Sequence, residues 1–282
     1  MLKVKQKTGS DVGFDIVSTI IFVVAIIACL YPFIWMILNA FRTSKELFQN
    51  PLGFPQTFDF SIYRVAWERA NFSNVFLNSI IVTVGSIILV LITAAPAAFA
   101  LARIKFKSNA FFQRLFTSSI IISTQIILIP LFFIVRDLGL YNNLASVILA
   151  NSALALPIVI ILFTGFFKEI PKEIEESAHM DGCSSYRFFF SFIIPLSKPI
   201  IITVIIFESL WSWNEYIYSL TFLKSESVRT IPLQLSVFFG MYSTEWTQLF
   251  AALSISIAPL LILYLFLQKY FIKGLTEGAV KL

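Results

Sequence analysis

Six stretches of this 282-residue sequence are each long and apolar enough to cross a bilayer as a helix, which leaves few folds open to it. They run approximately over 16–38, 75–101, 111–135, 144–167, 199–222 and 249–272. A spanning helix needs roughly 20 apolar residues, and in lipid a segment must satisfy its own backbone groups, which selects helices. Composition points the same way: the chain is 58% hydrophobic, carries 31 phenylalanines and is only 13% charged. Soluble domains carry about 25% charged residues. The expectation is an all-α integral membrane protein, one transmembrane domain over 1–282, with membrane lipid as its solvent.

The net charge of +5 does not indicate nucleic acid, because the basic residues flank apolar runs and form no stripe with interleaved aromatics. They report orientation instead. The N-terminal tail (Lys3, Lys5, Lys7), the second and fourth inter-span loops and the C-terminal end hold 14 lysines and arginines; the other side holds seven. That bias predicts cytoplasmic termini. The first apolar run exceeds the 7–15 residues of a signal h-region and reads as a retained span. Cys29, Cys183 and the single His179 supply no disulfide framework and no metal spacing. The expected location is the inner or plasma membrane of a bacterium or archaeon.

Pro32, Pro96, Pro130, Pro157 and Pro259 fall inside spans. Each removes a backbone donor, which suits a bundle around a wet cavity. The longest external loop is expected to carry a short interfacial helix over 61–70 with Tyr63 and Trp67.

The cytoplasmic loop 168–198 does not read as a connector. Pro171 suits a first helical turn, and Glu173, Glu175 and Glu176 suit a helix N-terminus. Asp181-Gly182 supplies a stop. Ser184 or Ser185 caps a second helix carrying Phe188, Phe189, Phe190 and Phe192, and Pro195 ends it. Ala178 and Gly182, at i and i+4, are small enough for another backbone to approach. This is a helix–turn–helix with the character of a docking surface.

Glu176-Ser177-Ala178, three residues, Gly182, nine residues, then Phe192-Ile193-Ile194-Pro195 resembles the EAA loop of binding-protein-dependent ABC importer permeases. Ser177, Cys183, Phe192 and Ile194 are small departures from that pattern. Leu77-Asn78-Ser79, the run from Ala97 to Arg103, Ile129-Pro130-Leu131, Leu138-Gly139-Leu140, Trp211-Ser212-Trp213-Asn214-Glu215 and the tail from Lys273 to Lys281 extend the resemblance to the carbohydrate-uptake branch, particularly the maltose-type second permease subunit. The resemblance implies a permease of an ATP-driven importer of di- or oligosaccharides or glycerol phosphates. It implies a homologous second permease subunit, two cytoplasmic ATPase subunits and an extracellular sugar-binding protein. The chain has no Walker A pattern, so ATP and Mg²⁺ would belong to the ATPase, and this chain would bind no cofactor and catalyse nothing. The loop would be the coupling helix, with Glu176, Ser177, Ala178, Asp181, Gly182 and Cys183 at the ATPase contact. The cytoplasmic tail 273–282, with Gly274 and Gly278 and little helix tendency, would touch the ATPase too.

For the substrate path the residue types that suit sugars are aromatic platforms and amide or carboxylate groups. Candidates are Ser123, Thr124 and Gln125 in the third span, Asn151 and Ser152 in the fourth, and Glu208, Trp211, Asn214 and Glu215 in the fifth. Glu208 and Glu215 are seven apart and are expected on one face with Trp211 and Ser212. Ionisable groups inside a span are functional candidates. Three other readings compete. A secondary transporter needs paired mid-membrane charges, and only Glu208 approaches that. A membrane enzyme needs a catalytic cluster, and none is apparent. A scaffold would keep the docking loop without a path.

Overall fold

A computed structural model describes residues 9–239 and 245–279; Lys3, Lys5, Lys7 and Lys281 of the charge count lie outside them. The described chain is helical: α1 (Gly9–Asn39), α2 (Ser44–Gln49), α3 (Ser61–Arg69), α4 (Phe72–Arg103), α5 (Asn109–Ser119), α6 (Leu128–Asp137), α7 (Leu144–Glu169), α8 (Lys172–Met180), α9 (Ser185–Leu196), α10 (Lys198–Trp213), α11 (Ile217–Phe222), α12 (Ile231–Gln234) and α13 (Trp246–Ala279). Among the described residues four helices, α1, α4, α7 and α13, are long and apolar enough to span a membrane, and α9 with α10 makes a fifth if that pair, bent by 73°, counts as one span.

The expected third span, 111–135, is not one helix. It is split into α5 and α6 by a turn over 120–127. Pro130 explains the second boundary. It has no N–H to give Ile126, and its ring would strike that carbonyl, so the helix restarts with Pro130 in its first turn. The β-branched run Ile120-Ile121-Ile122, with Ser123 and Thr124, has little helix propensity to oppose the break. The expected fifth span, 199–222, is interrupted as well, at Asn214-Glu215-Tyr216 between α10 and α11. The tail departs in the opposite sense, because α13 runs on through Gly274 and Gly278 to Ala279. A helix already nucleated propagates at little cost.

The chain divides into two compact units, one holding residues up to Ala70 with Val237–Ser256, the other Asn71–Ser236 with Ile257–Leu282. In the first, α1 presents Ile20, Phe22, Val24, Ile27 and Leu30 outward, as a lipid-facing helix does. The turn that follows is organised by Arg42, whose guanidinium donates to Asn39 Oδ1 (2.8 Å) and to the carbonyls of Glu46 (2.7 Å) and Asn50 (2.5 Å). Thr43 and Glu46 form a capping box at the start of α2. A short helix, α3, stands where one is expected from the sequence.

In the second unit α4 and α7 lie side by side and parallel. Gly85 sits against Ile148 near one end, where a Cβ would fall 2.8 Å from Ile148 Cδ1. At the other end Arg103 reaches the carbonyl of Phe167. Between them Ala94, Ala95 and Ala98 are buried and keep the backbones close. Lipid tails are as apolar as leucine, so this close packing, rather than escape from water, holds the pair together. Helix α10 runs antiparallel to α4. Phe76 meets Trp213 at one end (ring centroids 5.6 Å apart), and Phe99 meets Phe189, just ahead of α10, at the other (5.1 Å).

Candidate functional site

The loop 168–198 is built around the end of α8. That helix stops in a Schellman arrangement: Cys183 N–H donates to Ala178 O (2.9 Å) and Gly182 N–H to His179 O (3.0 Å). Gly182 has φ +76°, the left-handed region that a Cβ disfavours, and a Cβ there would meet nothing within 4 Å. Glycine is therefore required by the backbone and not by crowding from within the chain. His179 Nδ1 sits 2.9 Å from Cys183 O and so belongs to the same turn. Ser184 accepts from Arg187 N–H and caps α9. Pro195 does not end that helix; the chain absorbs it in a π-helical turn, Phe189–Ile193, which contains the carbonyl that Pro195 leaves unpaired. The bend comes at Ser197, two residues before Pro199.

Burial sorts the loop into two faces. Glu176, Ser177, Met180, Asp181 and Gly182 are exposed, and Cys183 is half-buried. Ala178 is 5% exposed and lies in the chain's own core with Phe99, Phe163, Phe167, Phe188 and Phe189. Ala178 therefore packs closely on this core, and a larger side chain would lift α8 from it. Sequence reasoning counted Arg103 only as a loop charge and a motif end. Its side chain is 3% exposed. It donates to Phe167 O (2.6 Å) and Ile170 O and pairs with Glu175 at 3.3 Å. One guanidinium thus joins the C-terminal ends of α4 and α7 to α8, placing a cation where the carbonyls of α7 end.

The second feature is a cavity of about 540 Å³ formed where the two interruptions meet. Tyr218 Oη, just after the break in the fifth segment, donates to Thr124 O in the break of the third (3.3 Å). Irregular backbone at membrane depth is tolerated where it lines a cavity. The wall includes Thr124, Gln125, Trp211, Asn214 and Glu215, all named from sequence, together with Phe207, Leu210, Tyr216, Ile217 and Tyr218, which were not. Trp211 (47% exposed) and Tyr216 offer aromatic faces. Asn214 Nδ2 donates to Leu210 O (2.8 Å), leaving its carbonyl at the wall, and Gln125 Oε1 accepts from the Ser123 and Thr124 hydroxyls.

Glu215 lines the cavity, but its carboxylate is engaged: Oε1 accepts from Tyr218 N–H (2.5 Å), and Oε2 from Ser219 N–H (2.9 Å) and Oγ (2.8 Å). It caps α11. Four sequence candidates, Ser123, Asn151, Ser152 and Glu208, are not on the wall. Asn151 is fully buried and donates to Ser212 Oγ (3.0 Å). Glu208 is fully buried too. The single face expected for Glu208, Trp211, Ser212 and Glu215 is not observed: within α10 Glu208 and Ser212 are buried while Trp211 is on the wall, and the helix ends at Trp213, so the heptad relation to Glu215 is lost.

These features can be set beside known proteins. A family model described as "Binding-protein-dependent transport system inner membrane component" matches residues 94–277. The chain is 38% identical over 256 residues to a probable ABC transporter permease protein, YurM, of Bacillus subtilis (strain 168), covering 91% of this chain and 85% of that one. It is 36% identical over 260 residues to the melibiose/raffinose/stachyose import permease protein MelC of the same organism, covering 91% and 94%. A crystal structure of a bacterial ABC transporter involved in the import of the acidic polysaccharide alginate superposes with a TM-score of 0.80 at 26% identity, over 95% of this chain and all of that one. Four spanning helices, a bent fifth pair and a match through α4 to α13 lead to one conclusion: the chain belongs to the family of binding-protein-dependent transport system inner membrane components, the permease subunits of ABC transporters.

Proposed function

We propose that the chain is a permease subunit of an ATP-driven importer for a di- or oligosaccharide. In this reading it crosses the membrane six times, the third crossing being α5 with α6 and the fifth α10 with α11. Both termini are cytoplasmic. Its α8–turn–α9 loop seats in a separate ATPase, using Glu176, Ser177, Asp181, Gly182 and Cys183, while Ala178 holds the helix to its own core. ATP and Mg²⁺ are bound by two copies of that ATPase. A second, homologous permease completes the path, and an extracellular binding protein delivers the sugar.

The observation that carries the reading is the dual character of α8. One face is open, and the other is clamped by Arg103 and Glu175 to the ends of α4 and α7. A displacement imposed on the open face passes into those helices, which is what a rigid-body switch between inward- and outward-facing states requires. The sugar reading draws on MelC and on the cavity, whose aromatic and amide wall and volume fall within the roughly 300–1,000 Å³ of small-molecule sites. The test is reconstitution of the chain with its partner subunits in vesicles. Uptake of a labelled oligosaccharide should require ATP and the ATPase, and Gly182→Asp should leave ATP hydrolysis running while uptake falls. Uptake driven by an ion gradient without ATP contradicts the reading.

A further inference from the structure

Where α4 and α7 end, two cavities open that are separate from the one described above. Both helices are long and apolar enough to span a membrane, and each carries a basic residue in its last turn, Arg103 and Lys168. The larger cavity, about 810 Å³, lies between the end of α4, the loop that follows it, the start of α5 and one side of α8. The smaller, about 210 Å³, lies between α4, α5 and α7. They share two wall residues, Leu101 and Gln113. Gln113 is held at that border, its Nε2 donating to Asn109 Oδ1 (2.5 Å). Arg103, on the wall of the larger cavity, donates to Phe167 O (2.6 Å), next to Lys168 on the wall of the smaller.

The two differ in chemistry. On the larger wall Lys105, Lys107 and Lys172 have no ion pair among the described residues. Of the two carboxylates there, Glu175 is held by Arg103 at 3.3 Å, which leaves Glu176 alone against three ammonium groups. The smaller wall is built mainly from apolar groups, among them Phe116, Ile160 and Ile161. From Lys168 to Ile160 α7 covers roughly 12 Å, most of the roughly 15 Å of hydrocarbon in one leaflet. Gly165 gives this wall no side chain, and an added Cβ would meet nothing within 4 Å.

We propose that the two cavities together bind one anionic glycerophospholipid, its phosphate among Lys105, Lys107 and Lys172 and an acyl chain against Ile160, Ile161 and Phe116. Basic pockets at the ends of transmembrane helices take acidic lipid head groups. The juxtaposition selects a lipid over a soluble anion: the basic cavity lies at the end of two spanning helices, and its apolar neighbour runs back along one of them into the leaflet. Charge selects an acidic lipid over a zwitterionic one, because a choline group would add a further cation to this wall. The bound lipid fills the space between α5 and α7 and reaches α8. The inference rests on α4 and α7 crossing the membrane and not on which substrate is carried.

The experiment uses the full chain in the assembly in which it is extracted from membranes, delipidated in a neutral detergent. Phosphatidylglycerol or phosphatidylcholine is titrated in, and bound lipid is counted by native mass spectrometry. Phosphatidylglycerol should bind saturably and phosphatidylcholine should not match it. The double variant Lys105→Gln/Lys107→Gln should weaken phosphatidylglycerol binding about tenfold or more. Gly165→Leu, which puts a side chain into the apolar cavity, should weaken it severalfold. Arg114→Gln, which neutralises a basic residue of α5 on neither wall, should leave it unchanged. Inorganic phosphate in the millimolar range, at constant ionic strength, should not displace the lipid. Should Gly165→Leu fail to accumulate, the lysine variant and the phosphate competition decide. Equal binding of the two lipids, unchanged affinity in the lysine variant or in Gly165→Leu, or a loss in Arg114→Gln as large as in the lysine variant overturns the proposal. Displacement by phosphate overturns it too, in favour of a free-anion site.

Discussion

Arg103 and Glu175 stand 3.3 Å apart at the junction of three helices, the arginine almost wholly buried and the glutamate about one-fifth exposed. The pair differs from a surface ion pair because Arg103 also donates to two main-chain carbonyls, Phe167 O and Ile170 O. Removing the guanidinium strands all three acceptors. Breaking a buried charged pair costs about 3–5 kcal/mol, and the partial exposure of Glu175 puts Arg103→Ala toward the lower end. Glu175→Gln keeps an acceptor for Arg103 and should cost only about 1 kcal/mol. Thermal unfolding of the purified variants checks the order; equal losses would mean that the carbonyl contacts carry little.

At the turn that closes α8, the expected ranking follows backbone conformation. Gly182→Asn should be tolerated best, because asparagine enters the left-handed region readily. Gly182→Ala should cost roughly 1–2 kcal/mol in the turn, and Gly182→Val more, since β-branched residues resist positive φ. No atom lies within 4 Å of an added Cβ, so a steric penalty within the chain is not expected. Cleavage in 180–185 under limited proteolysis should rise in the order Asn, Ala, Val. If Gly182→Asn behaves like Gly182→Val, an outside contact and not φ requires the glycine.

In the cavity, residues that look alike in sequence should separate in kinetics. Trp211→Ala and Asn214→Ala should raise the KM for sugar about tenfold or more, as the loss of one good contact of about 1.4 kcal/mol does, with little loss of stability. Glu215→Ala should do the reverse. Its carboxylate caps α11, so a stability loss of about 1–2 kcal/mol is expected, and Glu215→Gln should retain part of it. Uptake kinetics beside unfolding temperatures distinguish the two groups. A Glu215→Ala variant with wild-type stability and raised KM would make that carboxylate a sugar ligand.

Much of this architecture is legible in the sequence. α1, α4, α7 and α13 follow from apolar length alone, and the stop after α8 follows from Asp181-Gly182. The breaks at 120–127 and 214–216 were not legible, because hydropathy averages over them: Ile120, Ile122 and Ile126 are as apolar as any span, and Asn214, Glu215 and Tyr216 are too few to outweigh the apolar residues on either side. Pro130 was the available signal for the first. For the second, Glu215 ahead of Ser219 can be read as a helix cap only once a new helix is suspected at Ile217. That Glu208 and Asn151 lie off this cavity wall was not legible, because polarity within a span does not say whether a side chain meets a cavity or a neighbouring helix. Arg103 was passed over because a basic residue at a span end has a sufficient explanation in topology.

The most direct test of the account places a single cysteine at Met180, which is 88% exposed at the end of α8, in a chain with Cys29→Ser and Cys183→Ser. A membrane-impermeant maleimide should label Met180→Cys in inside-out vesicles and not in right-side-out ones, and adding the ATPase subunit should protect it. Labelling from the outside, or labelling from the inside that the ATPase does not reduce, would contradict the claim that this loop is where the motor grips the membrane helices.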